Sequence, residues 1–173
     1  MRQHKPDGFR ELLVYKRSDE LRLNIVKLTD KLSYDERRRK VHLIDSARSV
    51  KQNIVEGWKR TTTKEYFDFL SFSLGSLAEI KEDIKDLFLD KKITEVTRDF
   101  CENKCNELDF LLNQLRKSLY LKMEREGTLP SREKSLILKN QKDDDRDIFE
   151  KLLAEAGLEK SNDGKIIQKG EKG

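Results

Sequence analysis

The chain has 173 residues, of which 40% are charged and 35% are apolar, an unusually polar composition for a globular domain. Two prolines and eight glycines are too few for the closely spaced turns of a β-sandwich or barrel. The longest uncharged run, residues 69–78, is about half of what a membrane helix needs, and residues 1–8 lack the apolar core of a signal peptide. We therefore expect a cytoplasmic, helical protein with no membrane association and a formal net charge of +4.

Four segments between residues 9 and 124 have apolar residues at alternating steps of three and four, the spacing of one helix face. The four stripes are Ser18, Leu21, Ile25, Leu28 and Leu32; Leu43, Ala47, Val50 and Ile54; Tyr66, Leu70, Ser73, Leu77, Ile80, Ile84 and Leu87; and Cys101, Cys105, Leu108, Leu112, Leu115 and Leu119. Ser33 is the expected cap of the second helix, and Thr62 with Glu65 has the spacing of a capping box for the third. Short links between long helices predict an all-α, antiparallel up-down-up-down four-helix bundle over residues 9–124.

The residues on either side of the bundle have a different character. Residues 1–8 are predicted to be an N-terminal tail, and residues 125–173 a partly disordered C-terminal extension. Within the extension, Ile148, Phe149, Leu152 and Leu153 follow three aspartates. This pattern predicts a short amphipathic helix near residues 145–156.

Motifs for catalysis, cofactors or metals are almost absent from the sequence. It has no glycine-rich phosphate loop and no Cys/His set with zinc spacing. Neither His4 nor His42 follows a glutamate by three residues, as a di-iron bundle requires. Cys101 and Cys105 are four residues apart, which fits a metal clasp or a sensor of oxidants, but their apolar setting favours small core residues. We expect a protein without enzymatic activity, metal or cofactor.

Two clusters of basic residues are the most informative polar feature. The basic run consists of Arg37, Arg38, Arg39 and Lys40, and the second basic cluster of Lys59, Arg60 and Lys64. The basic run falls in the first turns of the second helix, where the helix dipole disfavours positive charge. This placement points to an anionic partner such as a phosphate backbone, although a solvated surface run is the plainer interpretation. Tyr34 and Trp58 lie near the clusters, either to stack on a base or to close the core.

Apolar residues outside the four stripes indicate self-association. Phe67 and Phe72 lie on opposite sides of the third stripe, and Ile44 and Trp58 begin a second stripe on the second helix. A helix that is apolar on more than one face packs against more than one partner. We therefore expect these four residues to form a homo-oligomer interface.

A third group of residues, small or polar, is expected where the second and third helices face each other. Its members are Asn53, Glu56 and Gly57 on the second helix and Gly75, Ser76 and Glu79 on the third. If the hairpin turns near residues 60–61, Gly75 and Ser76 face Ser46 and Ala47, and small side chains there let the two backbones approach closely. In the same alignment, Glu79 is expected to contact His42.

These segments resemble a known family of four-helix-bundle proteins, encoded by intervening sequences in bacterial 23S ribosomal RNA genes. The matching motifs are Phe9-x-x-Leu12-x-Val14-Tyr15, Leu28-Thr29, Ser46-Ala47-x-Ser49-Val50, Asn53-Ile54-Val55-Glu56-Gly57, Lys64-Glu65-Tyr66, Phe69-Leu70 and Leu74-Gly75-Ser76-Leu77-Ala78-Glu79. The resemblance implies a left-handed antiparallel bundle that assembles as a ring-like homopentamer. It also implies a relation to the accessory variability determinant of diversity-generating retroelements, a basic pentameric barrel that binds nucleic acid and a reverse transcriptase.

Two hypotheses for the function follow. The first is a non-enzymatic oligomer that binds RNA or single-stranded nucleic acid through its basic clusters, by phosphate neutralisation without strong sequence preference. The alternative is a protein–protein scaffold or accessory subunit that recruits a partner through residues 145–156. Deletion of residues 128–173 distinguishes them, because only the scaffold would lose its partner.

Overall fold

The computed structural model of this protein describes residues 7–128, 158–160 and 166–168. The helices are α1 (Leu13–Asp30), α2 (Arg37–Lys59), α3 (Thr63–Leu89) and α4 (Glu95–Arg125), with 3-10 turns at Gly8–Glu11 and Tyr34–Glu36. The strands are β1 (Leu158–Lys160) and β2 (Ile166–Gln168). None of the described helices is both long and apolar enough to cross a membrane.

The four helices form an antiparallel up-down-up-down bundle, as the sequence predicts. Each helix packs against its neighbours in the chain, and α1 also packs against α4, which closes the bundle. Ion pairs bridge the helices at its surface: Lys51 Nζ lies 2.6 Å from Asp19 Oδ1, and Lys104 Nζ lies 2.8 Å from Glu20 Oε1. Such partly exposed pairs contribute little stability, so the apolar interior holds the bundle together.

The interior is built from the predicted stripes. All their members are buried except Leu115, which is half-buried. Two serines in the stripes are fully buried and satisfy their hydroxyls on carbonyls: Ser18 Oγ donates to the Tyr15 oxygen at 2.8 Å, and Ser73 Oγ donates to the Val50 oxygen at 3.0 Å. The bond from Ser73 crosses from α3 to α2 and so links the two helices directly.

The helix starts differ in how they are capped. Thr62 and Glu65 form the predicted capping box of α3, with each side chain accepting from the other residue's backbone N–H at 3.2 Å. The expectation for Ser33 is wrong, because its side chain makes no capping hydrogen bond. Residues 34–36 wind as a 3-10 turn instead, and α2 begins at Arg37. The basic run therefore starts at the first residue of α2.

Residues 129–173 form a second unit. In it β1 and β2 pair antiparallel, with Leu158 opposite Gln168 and Lys160 opposite Ile166. The adjacent isoleucines of β2, Ile166 and Ile167, favour an extended strand. The amphipathic helix predicted near residues 145–156, and the partner site assigned to it, lie outside the described residues.

Candidate nucleic-acid interface

The basic run occupies the first turn of α2, and one of its four side chains is paired with carboxylates of the described residues. Arg39 joins α2 to the end of α3: its Nη2 donates to Asp90 Oδ2 at 2.6 Å, and its Nε lies 3.5 Å from Glu36 Oε2. The hydrogen bond to Asp90 is the main cause of the raised pKa of Arg39. The other three cations have no ion-pair partner among the described residues; Arg37 and Arg38 are exposed and Lys40 is half-buried.

An exposed aromatic ring stands beside the basic run. Tyr34, in the 3-10 turn that leads into α2, is 77% exposed, and the guanidinium carbon of Arg37 lies 5.0 Å from its ring centroid. Trp58, at the other end of α2, is half-buried, and its ring packs edge-on against Tyr66 with centroids 6.2 Å apart. Of the two aromatics that the sequence singles out, Trp58 helps to close the core and Tyr34 does not.

The same end of the bundle collects cations from other segments. Lys92 Nζ lies 3.1 Å from Glu36 Oε1, which places the α3–α4 link against the start of α2. Within the described part of the chain, the cations at this end without an ion-pair partner are Lys27, Lys31, Arg37, Arg38, Lys40 and Lys91, and the carboxylates without one are Asp30, Asp35 and Asp86. Positive charge is therefore in excess once internal pairs are formed.

A groove between α1 and the start of α4 adds to this end of the bundle. It has a volume of about 520 Å³. Its lining is apolar along Leu28, Leu32, Ile93, Val96 and Phe100, and it carries three lysines, Lys27, Lys31 and Lys92. The lysines extend the positive surface from α2 towards α1 and α4.

The second basic cluster is more fully matched by groups of its own chain. The guanidinium of Arg60 lies 4.5 Å from the Phe69 ring centroid and 4.0 Å from Glu56 Oε2. Lys64 Nζ lies 2.8 Å from Asp68 Oδ2, and Lys59 is exposed. Because exposed pairs of this kind are weak, an approaching phosphate can compete for these cations, but the unmatched charge is smaller than at the basic run.

A row of polar contacts, here named the polar seam, joins α2 to α3. Ser76 Oγ donates to Ser49 Oγ at 3.0 Å, and Ser46 Oγ donates to Glu79 Oε2 at 2.9 Å. One turn further along, His42 Nδ1 lies 2.6 Å from Asp83 Oδ2.

The expected contact between His42 and Glu79 is therefore wrong. The two helices are offset by about one turn relative to a hairpin centred on residues 60–61, so that Glu79 meets Ser46 and His42 meets Asp83. The hydrogen bond to Asp83 is the main cause of the raised pKa of His42. Asp83 continues the three-four spacing of Ser76 and Glu79, which places it on the same face of α3 but does not say which residue of α2 it meets.

The close approach of α2 and α3 occurs at Gly57 and not at Gly75. A Cβ atom added to Gly57 would lie 2.6 Å from Tyr66 Cδ2 and 2.8 Å from Phe69 Cβ. The same atom on Gly75 would have nothing within 4 Å, so the expectation for Gly75 is wrong. Asn53 is half-buried and donates to Ser49 Oγ at 3.3 Å, within its own helix.

The residues expected at an oligomer interface differ in exposure. Phe67 is only 4% exposed, and the Arg116 guanidinium of α4 lies 4.5 Å from its ring centroid. It belongs to the interior of the bundle, which corrects its assignment to an oligomer interface. Phe72 is 59% exposed, whereas Ile44 and Trp58 are half-buried.

The two cysteines are buried core residues with free thiols. Burial raises the pKa of Cys101 to about 11 and that of Cys105 to about 12. In the described residues, no three His, Cys, Asp or Glu side chains are grouped so as to hold a metal ion.

Comparison with known proteins places the bundle in a family. A solved structure from Bacteroides thetaiotaomicron, a protein with unknown function from the S23 ribosomal protein family, has a TM-score of 0.57 at 22% identity and aligns over 61% of this chain and 99% of that chain. At this identity the likeness shows the fold alone. The search of curated proteins gives no match. The profile of the family described as 23S rRNA-intervening sequence protein matches residues 10–114. This match covers more than half of the chain, which therefore belongs to the 23S rRNA-intervening sequence protein family.

Proposed function

We propose that this protein is a non-enzymatic homo-oligomer that binds RNA or single-stranded nucleic acid through the basic run. The observation that carries the proposal is the difference between neighbours in the first turn of α2. Arg39 is matched by Asp90 and Glu36, whereas Arg37, Arg38 and Lys40 have no ion-pair partner in the described residues. Cations at a helix N-terminus are disfavoured by the dipole, and an external phosphate offsets that cost.

The chemistry of such a site is phosphate neutralisation. Each cation that meets a phosphate releases condensed counterions, so the affinity falls steeply as salt rises. Phosphate contacts fix position but do not read bases, so the site has little sequence preference. The family description, which refers to 23S rRNA intervening sequences, agrees with an RNA ligand.

Self-association is the second part of the proposal. Phe72 and Val41 are each 59% exposed, and Phe72 packs edge-on against Phe69 with centroids 5.7 Å apart. A neighbouring copy that covers these side chains would remove apolar surface from water. The implied ring of five, as in the accessory variability determinant, would repeat the basic run around one assembly and raise the affinity through multivalency.

Binding is tested by fluorescence anisotropy with a labelled single-stranded RNA at a series of salt concentrations. Replacement of Arg37, Arg38 and Lys40 with alanine should weaken binding and lower the slope of log affinity against log salt by about 2 for each subunit engaged, about 0.7 per lost contact. The matched control replaces Lys16, Arg48 and Lys117, which lie away from the start of α2 and change the net charge by the same amount. Equal losses in the two triple variants, or no binding by the wild type at low salt, would refute the proposal.

Self-association is tested by sedimentation velocity. A Phe72→Glu substitution should shift the wild-type oligomer towards the monomer, because it places a charge in a face that would be desolvated. Leu23→Glu on α1, at a residue that is 46% exposed, is the control and should leave the oligomer intact. A wild-type chain that sediments as a monomer at every concentration contradicts this part of the proposal.

A further inference from the structure

We infer that Tyr34 is a base-stacking residue and that the ligand of the basic run is nucleic acid with unpaired bases. The inference rests on the proposed function, since it names the class of nucleic acid that this site selects. It goes beyond phosphate binding, which by itself does not distinguish single strands from duplexes.

Burial in the core does not account for the position of Tyr34. It is 77% exposed, whereas Tyr66 and Tyr120 are buried and Tyr15 is half-buried. These four are all the tyrosines of the chain. A ring that the bundle does not bury contributes little to folding, because apolar surface stabilises the fold only when it leaves water.

The placement of the ring suits a nucleotide. It belongs to the 3-10 turn directly before α2, so that ring and basic run are adjacent in the chain and on the surface. The Arg37 guanidinium lies 5.0 Å from the ring centroid, a cation–π distance. This contact restrains the ring and keeps a phosphate-binding cation beside it. A strand with its phosphates on Arg38 and Lys40 thus has an aromatic surface within reach of a neighbouring base.

Stacking on this ring selects unpaired bases for a physical reason. In a duplex each base is covered on both faces by the adjacent base pairs, and a protein at the surface meets phosphates and groove edges. In a single strand the faces of the bases are accessible, and an aromatic side chain stacks on them with little dependence on sequence. The basic run and the Tyr34 ring together favour binding of single strands, loops and bulges.

The test compares two probes with the full-length protein: a labelled oligoadenylate single strand and an RNA duplex of the same length. Tyr34→Ala and Tyr34→Leu should each weaken binding of the single strand by about 5-fold to 150-fold, the effect of one lost stacking contact. Tyr34→Phe, which keeps the ring, should bind as the wild type does. All three variants should bind the duplex with unchanged affinity. A single strand with 2-aminopurine should be quenched on binding to the wild type and to Tyr34→Phe, but less by the other two variants.

The outcomes separate this inference from the proposed function. If the triple variant of the basic run loses single-strand binding while Tyr34→Ala retains it, the function stands and the stacking role is refuted. Equal losses in Tyr34→Phe and Tyr34→Ala would assign the effect to the hydroxyl and also overturn the stacking role. Absence of single-strand binding by the wild type refutes the function and the inference together. Because Tyr34 is so exposed, none of these substitutions should change the helical circular dichroism.

Discussion

Replacement of Gly57 with alanine tests the closest contact between α2 and α3. The new Cβ would lie 2.6 Å from Tyr66 Cδ2 and 2.8 Å from Phe69 Cβ, well inside the optimal carbon–carbon separation of about 3.5–4.0 Å. The Tyr66 ring can turn away by a small rotation. The Cβ of Phe69 is fixed to the α3 backbone, so the two helices must separate near the end of α2.

The cost follows from two opposing terms. Overpacking of this kind destabilises by about 1–3 kcal/mol, and the better helix propensity of alanine offsets up to about 1 kcal/mol. Since one of the clashing atoms is held by the backbone, we expect the overpacking cost to lie at the higher end of its range. The free energy of unfolding should then fall by about 2 kcal/mol in total. For a bundle of about 120 residues this corresponds to a fall in melting temperature of about 8 °C.

Gly75→Ala is the matched control, because the same substitution in α3 meets no atom within 4 Å. It keeps the propensity gain without the clash and should raise the melting temperature by about 4 °C. The assay is thermal unfolding by circular dichroism at several protein concentrations, which separates subunit stability from assembly. Wild-type stability in Gly57→Ala, or an equal loss in Gly75→Ala, would refute the reasoning.

Three further predictions concern single side chains. Phe67→Ala should lower the free energy of unfolding by about 3 kcal/mol, measured by urea denaturation, because the ring is buried inside the bundle. The raised pKa of His42, caused chiefly by its hydrogen bond to Asp83, stabilises the fold fully below the ordinary pKa of 6.5, and this contribution is lost as pH rises through the raised value. His42→Gln should remove that decline from the urea midpoint measured against pH. With the pKa of Cys101 at about 11 and that of Cys105 at about 12, neither thiol should react with Ellman's reagent in the native protein near neutral pH, and both should react in guanidinium.

Each of these predictions has a contrary result. Phe67→Ala would contradict the buried position if it were as stable as Phe72→Ala, which removes an exposed ring. The same decline with pH in wild type and His42→Gln would show that the imidazole is not the responsible group. Rapid native labelling of either cysteine would show that α4 opens far more often than its burial implies.

How far the sequence predicts the site depends on whether a residue acts within one helix or between two. The capping box at Thr62 is a local pattern of four residues, and it is correct in detail. The position of the basic run in the first turns of α2 was equally predictable. The 3-10 turn that carries Tyr34 was not, because Ser33 was expected to cap the helix directly before it. The sequence did not identify the partner of His42, because that partner depends on the axial offset between α2 and α3. An error of one helical turn in this offset replaces Asp83 with Glu79.

The sequence by itself determined the helices and their inner faces, since a 3.6-residue repeat fixes which residues share one side of a helix whatever that helix packs against. Only the tertiary structure decided what happens away from those faces. Phe67 is covered by a side chain of α4 while Phe72 remains exposed, Arg39 is paired with a carboxylate at the end of α3 while Arg38 is not, and Gly57 rather than Gly75 marks the close approach. These outcomes depend on the rotation and offset of one helix against the next. Side-chain packing between the helices sets both quantities, and the periodicity of one helix alone does not predict them.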